Sequence, residues 1–185
     1  VNVAMRKYLG DVASLDDGVG RLLARLEALG LRDKTLLVFS SDHGPAPVTT
    51  GKDVDSPVGE GGGNTRRDFA VNMLGSPGPL RGGKHGMYEG GVRVPFVLRW
   101  PGHVPAGRVD TQSVVSGIDW LPTLCAITGI KIPATDLDGE DVSAAWLGRA
   151  PHVRTKPLLW RVSNPGADVG IRSGAWKFIL PIRKR

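Results

Sequence analysis

The chain is poor in the features that would place it in several large protein classes at once. It has a single cysteine, Cys125, so no internal disulfide framework and no cysteine-based zinc cluster can be built from it. Cys125 sits in the apolar run WLPTLCAI and reads as a small buried thiol. No window approaches 18 consecutive apolar residues, so no transmembrane helix is expected. Nucleotide-phosphate cradling of the GxxxxGK[ST] kind is unsupported, because the nearest match, GGKH, lacks the following Ser or Thr. No GxSxG elbow exists, which leaves an α/β-hydrolase triad without a nucleophile. Aromatic residues make up only 6%, and the five tryptophans lack interleaved basic residues, so core packing is expected of them rather than base stacking.

What the chain does have in excess is glycine and proline. There are 26 Gly and 14 Pro among 185 residues, well above the usual combined share of about 12%. Fifteen of the glycines fall between Gly44 and Gly107 without a G-X-Y period, which excludes collagen and marks a middle built from shaped loops. The net charge is +6, with 11 Lys/Arg against 11 Asp/Glu in residues 1–90 and 13 against 7 in 91–185. Scattered basic residues make a poor nucleic-acid footprint and suit an anionic small substrate. At 41% hydrophobic residues the chain can bury a core. Its opening, VNVAMRKYLGDV, has neither an initiator Met nor the pattern of an export leader and already reads as helix. The expectation is a chain that starts inside a longer protein.

Apolar residues at Tyr8, Val12, Leu15, Val19, Leu22, Leu26 and Leu29 predict one amphipathic helix, closed by Gly30. TLLVFSSDHGP follows as a short apolar strand, Thr35–Ser40, buried on both faces of a parallel sheet. From Pro45 to about Arg81 no period is visible, apart from RRDFAVNML at 66–74, which allows a short helix or strand. A strand over Val92–Trp100 is expected, with Pro95 marking an edge or bulge. Helices are expected over Ile118–Thr128, stopped by Gly129, and over Glu140–Leu147, capped by Asp138 and stopped by Gly148. KPLLWRV, DVGIRSG and WKFILPI predict a small antiparallel sheet. The resulting division is 1–150, an α/β domain, and 151–185, a small antiparallel subdomain.

Polar chemistry gathers at the carboxyl end of the Thr35–Ser40 strand, where open α/β sheets place ligands. Asp42 and His43 offer an oxygen and an imidazole nitrogen for a divalent ion, calcium or magnesium in oxygen-rich company, zinc or manganese with more nitrogen. The same pair is also what a strand-end turn with an Asx-type hydrogen bond would show. Lys84, flanked by glycines, is either a cation presented to an anionic ester or an exposed loop lysine. His85 follows it as a proton donor, an oxyanion contact or a packed loop residue. Glu89 and Arg93 straddle Gly90-Gly91, and an ion pair pinning that turn is expected. His103 and His152, beside prolines, are expected at the surface.

In order along the chain, LDDGVGRLLARLEALGLRDKTLLVFSSDHGP, PLRGGKHGMYEGGVRVPFVLRWPG, VVSGIDWLPTLCAITGI, LDGEDVSAAWLG and IRSGAWKFIL resemble the sulfatase family of the alkaline-phosphatase-like superfamily, over residues 8–181. The resemblance implies a partial alkaline-phosphatase-like α/β sandwich, a mixed sheet flanked by helices, with a small carboxyl-terminal antiparallel sheet. It implies that Asp42 and His43 are metal ligands, usually for Ca2+ and less often Mg2+ or Mn2+. It further implies that Lys84 contacts the sulfate group and that Glu89, Gly90, Gly91 and Arg93 support the lysine loop, while the role of His85 stays open. The complete enzyme would hydrolyse a sulfate monoester of a small aryl compound or a glycan, and family members are commonly exported to periplasm, extracellular space or lysosome.

The departure from the family pattern is large. The C/S-x-P-S-R motif, whose first residue is converted to formylglycine, is not in this sequence, and Cys125 is followed by Ala126-Ile127-Thr128. An early aspartate pair, a further lysine and a catalytic histidine of the family are likewise missing, so the isolated 185 residues are expected to be inactive. Two other readings stay open: a phosphomonoester, phosphodiester or phosphonate hydrolase of the same superfamily, and a non-catalytic remnant or binding module.

Overall fold

The structure, a computed structural model, describes residues 3–45, 75–132, 136–161 and 169–180. The expected element at 66–74 and part of the loop at 133–135 lie outside the described residues. The chain divides into two compact units, one from residues 1–32 and 40–96, the other from 33–39 and 97–185.

The first unit opens with the helix α1, Val3–Ala28. It ends as the sequence predicts. Gly30 takes a φ of 66°, its N–H donates to Glu27 O at 2.9 Å, and the Leu31 N–H donates to Leu26 O at 2.9 Å. That pair of reversed bonds is a Schellman motif, which needs a left-handed residue and therefore favours glycine. The expected buried stripe is only partly covered: Tyr8, Val19 and Leu26 are half-buried, whereas Val12, Leu15, Leu22 and Leu29 are exposed. Among the described residues of this unit a second helix, α2, spans Glu89–Val92, so the Gly-Gly turn is in fact one helical turn.

The second unit holds the strand β1, Leu37–Ser40, which pairs with β2, Phe96–Arg99. The predicted strand over Val92–Trp100 shortens at its start, since Val92 closes α2 and Pro95 has no N–H to give a ladder. The Trp100 indole donates to Asp33 O at 3.0 Å and stacks on His103, centroids 3.9 Å apart. A 3-10 turn, Gly117–Asp119, leads into α3, Trp120–Thr128, which Gly129 closes at a φ of 72°. Cys125, in α3, is half-buried rather than buried. The helix α4 is only Ser143–Trp146, and its first N–H is capped by Asp141, not Asp138.

The predicted antiparallel sheet is present as β3, Leu158–Arg161, β4, Val169–Ser173, and β5, Trp176–Leu180, in the order β3-β4-β5. Val142, Trp146, Leu147 and Leu158 are the buried apolar residues of this unit among those described. Trp176, expected in a core, is instead 84% exposed.

A buried ionic cluster ties this unit together. Asp119 is fully buried and holds three partners. Its Oδ2 accepts the Ser116 N–H at 2.8 Å, completing a capping box, and it takes the Arg154 guanidinium on both oxygens, with Nη1 2.9 Å from Oδ2. Its Oδ1 accepts the Glu140 N–H at 2.9 Å. The Glu140 carboxylate accepts bonds from His152 Nε2 at 3.0 Å, from the Thr155 N–H at 2.9 Å and hydroxyl, and from the Lys156 N–H at 3.0 Å. Burial would raise the pKa of that carboxyl, but these donors together hold it down at about 2. His152, expected at the surface, is therefore largely buried, with 18% of its side chain exposed.

Candidate functional site

The sequence-predicted residues gather in the first unit, where a loop and a strand end lie backbone against backbone. Immediately after β1, Gly44 is buried and its N–H donates to Gly91 O at 2.9 Å. One residue further on, Pro45 O accepts the Lys84 N–H at 2.8 Å. Two bonds thus join segments some forty residues apart in the chain and bring the Asp42-His43 pair and Lys84 onto neighbouring backbone.

Glycine makes that approach possible. A Cβ on Gly44 would lie 2.8 Å from the carbonyl carbon of Gly90, and one on Gly90 would lie 2.7 Å from Arg81 O. Gly91 is equally crowded, with Gly86 C 3.1 Å from where its Cβ would stand. These three positions face backbone, which cannot rotate away as a side chain can. The loop is braced further by the Gly90 N–H bond to Arg81 O at 2.7 Å and by the Arg81 guanidinium, 4.0 Å over the Tyr88 ring. Buried Met87 anchors its centre.

The lysine turn itself is tight. The Gly86 N–H donates to Gly83 O at 2.9 Å, and His85 takes a left-handed φ of 69°, uncommon for a residue with a side chain. Lys84 is half-buried on this turn, and His85 is exposed. Glu89 opens α2 half-buried, and Arg93, exposed, donates its N–H to Glu89 O at 2.8 Å.

Asp42 and His43 show the strand-end turn that the sequence left open. Asp42 Oδ1 accepts the His43 N–H at 3.0 Å, a strand-end turn bond. His43 Nδ1 lies 2.8 Å from Gly44 O, and Nε2 lies 3.1 Å from Asp42 Oδ2. A carbonyl oxygen only accepts, so Nδ1 carries the proton in the neutral ring. Nε2 then faces the Asp42 carboxylate, so an imidazole nitrogen and a carboxylate oxygen point to the same place. A histidine whose one ring nitrogen is held by a backbone carbonyl is a common setting of a metal-bound imidazole. The donor set therefore fits a divalent cation. Among the described residues no group of three or more His, Cys, Asp or Glu side chains could hold a metal ion, so the pair alone does not make a closed metal site.

The Asp119–Arg154–Glu140–His152 cluster was not anticipated. One signal for it was present, the S-x-x-D spacing of Ser116 and Asp119, which is a capping-box pattern. Its partners lie up to 35 residues away and carry no local pattern.

Comparison with known proteins places the chain. The sulfatase family model matches residues 2–130. Human arylsulfatase A is 34% identical over 176 residues, which is 93% of this chain and 30% of that protein. Mouse steryl-sulfatase is 39% identical over 144 residues, covering 77% of this chain and 20% of its own length. Rat N-acetylgalactosamine-6-sulfatase is 32% identical over 166 residues, 89% of this chain and 27% of its own. A solved Bacteroides thetaiotaomicron structure, described with the metabolism of multiple glycosaminoglycans, superposes with a TM-score of 0.66 at 30% identity, over 90% of this chain and 31% of that one. The chain thus spans less than a third of the length of these relatives. With a matching family model over most of its length and the same α/β architecture, the chain belongs to the sulfatase family.

Proposed function

We propose that these residues form the carboxyl-side part of a sulfuric ester hydrolase and supply part of the electrostatic clamp that receives the sulfate group. Asp42 and His43 would hold a divalent cation, calcium by family resemblance, with the remaining ligands coming from outside this chain. Bound there, the ion would neutralise charge on the sulfate oxygens. Lys84 adds a fixed ammonium to the same charge, and His85, exposed beside it, is available as a proton donor to a leaving oxygen. Glu89, Gly90, Gly91 and Arg93 position the lysine turn. The observation that supports this reading best is the pair of backbone bonds from Gly44 and Lys84 to Gly91 and Pro45, which carries the lysine to the metal-ligand pair.

No residue in this sequence stands in a C/S-x-P-S-R setting, so the nucleophile is not among these residues and the isolated chain is inactive in this reading. The substrate class is a sulfate ester of a small aryl compound or a glycan, and the compartment an exported one. Among the described residues no helix is long and apolar enough to cross a membrane. Residues 1–150 would belong to the catalytic α/β domain and 151–185 to a small appended sheet.

The test uses the reading frame extended upstream of Val1, together with the 185-residue chain. Calcium-dependent sulfate release from a chromogenic aryl sulfate is expected from the longer protein and not from the short one. Lys84→Ala should lower kcat/KM by about 10²–10³, the usual effect of losing one strong transition-state contact. In the short chain, Mn2+ should selectively broaden the His43 ring signals in NMR spectra, and Asp42→Ala should abolish that broadening. Unchanged kcat/KM in the Lys84 variant would refute the clamp, and turnover of phosphate esters with none of sulfate esters would move the site to phosphoryl chemistry.

A further inference from the structure

We propose that Arg81 is a specificity-determining cation that selects esters carrying a second anionic group, a carboxylate or a further sulfur oxyanion, beside the sulfate to be cleaved. The inference rests on the hydrolase reading above. Three backbone segments meet at this residue. The Gly90 N–H donates to Arg81 O at 2.7 Å, and the Gly44 N–H donates to Gly91 O at 2.9 Å. Arg81 is thereby stitched through Gly90-Gly91 to the backbone that follows Asp42 and His43. Lys84 stands three residues further on, so the two Cα atoms are at most about 11 Å apart. Gly82 and Gly83 fill the interval, and neither has a side chain to stand between the two cations.

The guanidinium is held in place while its donors stay unspent. It lies 4.0 Å over the Tyr88 ring, a contact made through the ring's π-electrons rather than through a hydrogen-bond acceptor. The ring is itself fixed against the loop. A Cβ on Gly82 would lie 3.0 Å from Tyr88 Cβ, and Tyr88 O accepts the Gly91 N–H at 2.9 Å. Arg21, Arg32, Arg108 and Arg154 each pair with an acid. Arg81 is exposed, and among the described residues no carboxylate pairs with it. Residues 81–93 carry Arg81, Lys84 and Arg93 against a single acid, Glu89, so the loop as a whole attracts anions. A guanidinium positioned in advance loses little freedom on binding, and its planar fork suits a carboxylate or a tetrahedral oxyanion. Lys84 already answers the charge of the sulfate undergoing cleavage. A second fixed cation on the same loop matches a second charge on the same molecule.

The experiment uses the reading frame extended upstream of Val1 and chromogenic aryl sulfates that differ in one ring substituent: a carboxylate, a sulfonate or a neutral carboxamide. For each anionic ester, kcat/KM is taken as a ratio to the carboxamide ester, and comparing that ratio between parent and variant cancels intrinsic reactivity. Arg81→Gln should lower the ratio about tenfold, the worth of one charge-assisted hydrogen bond. Arg81→Lys, which keeps the charge and loses the fork, should fall between the two. A drop confined to the carboxylate ester assigns a carboxylate as the second group, one confined to the sulfonate ester a sulfur oxyanion, and either supports the proposal. An unchanged ratio overturns it, and so do equal losses on all the esters, because Arg81 would then only brace the lysine turn. Should Arg81→Gln fail to fold by circular dichroism, salt on the parent decides: the ratio should fall as ionic strength rises, and a salt-independent ratio overturns the proposal. Dissociation constants for the same esters, measured by calorimetry, separate this inference from the reading beneath it. Selective binding of an anionic ester that Arg81→Gln abolishes, with turnover of none, would sink the hydrolase reading and leave the role of Arg81 standing.

Discussion

Replacing Glu140 by Gln keeps the size of the side chain and removes its charge from the cluster that joins residues 116–119, 140 and 152–156. The carboxylate is almost wholly buried, with 9% of its side chain exposed, and takes donors from His152, Thr155 and Lys156. Burial pushes its pKa up, and these donors bring it down further, from 4.5 to about 2. A displacement of that size corresponds to about 3 kcal/mol of stability at neutral pH. Because the folded value lies below the unfolded one, the contribution is complete above pH 4.5 and is lost as the pH falls toward 2. The Gln variant does not titrate, so it should start about 3 kcal/mol lower at pH 7 and lose less on acidification, the two proteins converging near pH 2. For a chain of this length the deficit corresponds to a Tm lower by about 6–12 °C. Thermal and urea unfolding followed by circular dichroism between pH 7 and pH 2 would measure it. A variant within about 0.5 kcal/mol of the parent at pH 7, or two parallel pH profiles below 4.5, would refute the reasoning. Asp110, whose pKa is also lowered, chiefly by the Ser113 and Gln112 hydrogen bonds, titrates in both proteins and cancels from the comparison.

Two further outcomes follow from the same geometry. Arg154→Met leaves Asp119 buried beside an apolar chain, and should cost about 3–5 kcal/mol by urea unfolding. Adding Asp119→Leu in that background should recover part of the loss, because no buried charge is then left unpaired. Gly44→Ala forces a methyl against the Gly90 carbonyl and should push the lysine loop away from the strand end. Faster amide exchange at Lys84 and Gly44, with little change at the Arg161–Val169 and Trp160–Gly170 pairs, would show it; unchanged exchange at Lys84 would contradict the close approach.

Elements governed by neighbours in the chain were legible. Gly30 and Gly129 stop their helices where expected, because a left-handed closing residue is a local requirement. The three strands of the last sheet were visible as brief β-rich runs between turns, and all three pair. Asp42, His43 and Lys84 stood out by residue type and glycine flanks. Other expectations failed for tertiary reasons. The helix predicted from Glu140 starts only at Ser143, because Asp119 takes the Glu140 N–H and Thr123 Oγ1 takes the Val142 N–H at 3.0 Å. His152, beside a proline, reads as surface until Glu140 is known to lie 3.0 Å away. Trp176 reads as core by composition, yet alternation on β5 turns it outward with Phe178 and Leu180.

From sequence alone came the family, the helix stops, the composition of the last sheet and the identity of the charged candidates. Each depends on residue type and short spacing, which a linear chain displays directly. Tertiary structure decided that the lysine turn bonds to the strand end through Gly44 and Pro45, that the Arg154, His152 and Thr155 side chains condense on Asp119 and Glu140, and which side of the sheet stays open. Those outcomes hang on contacts between residues twelve to forty or more positions apart, where backbone approach and burial, not local preference, select the partner.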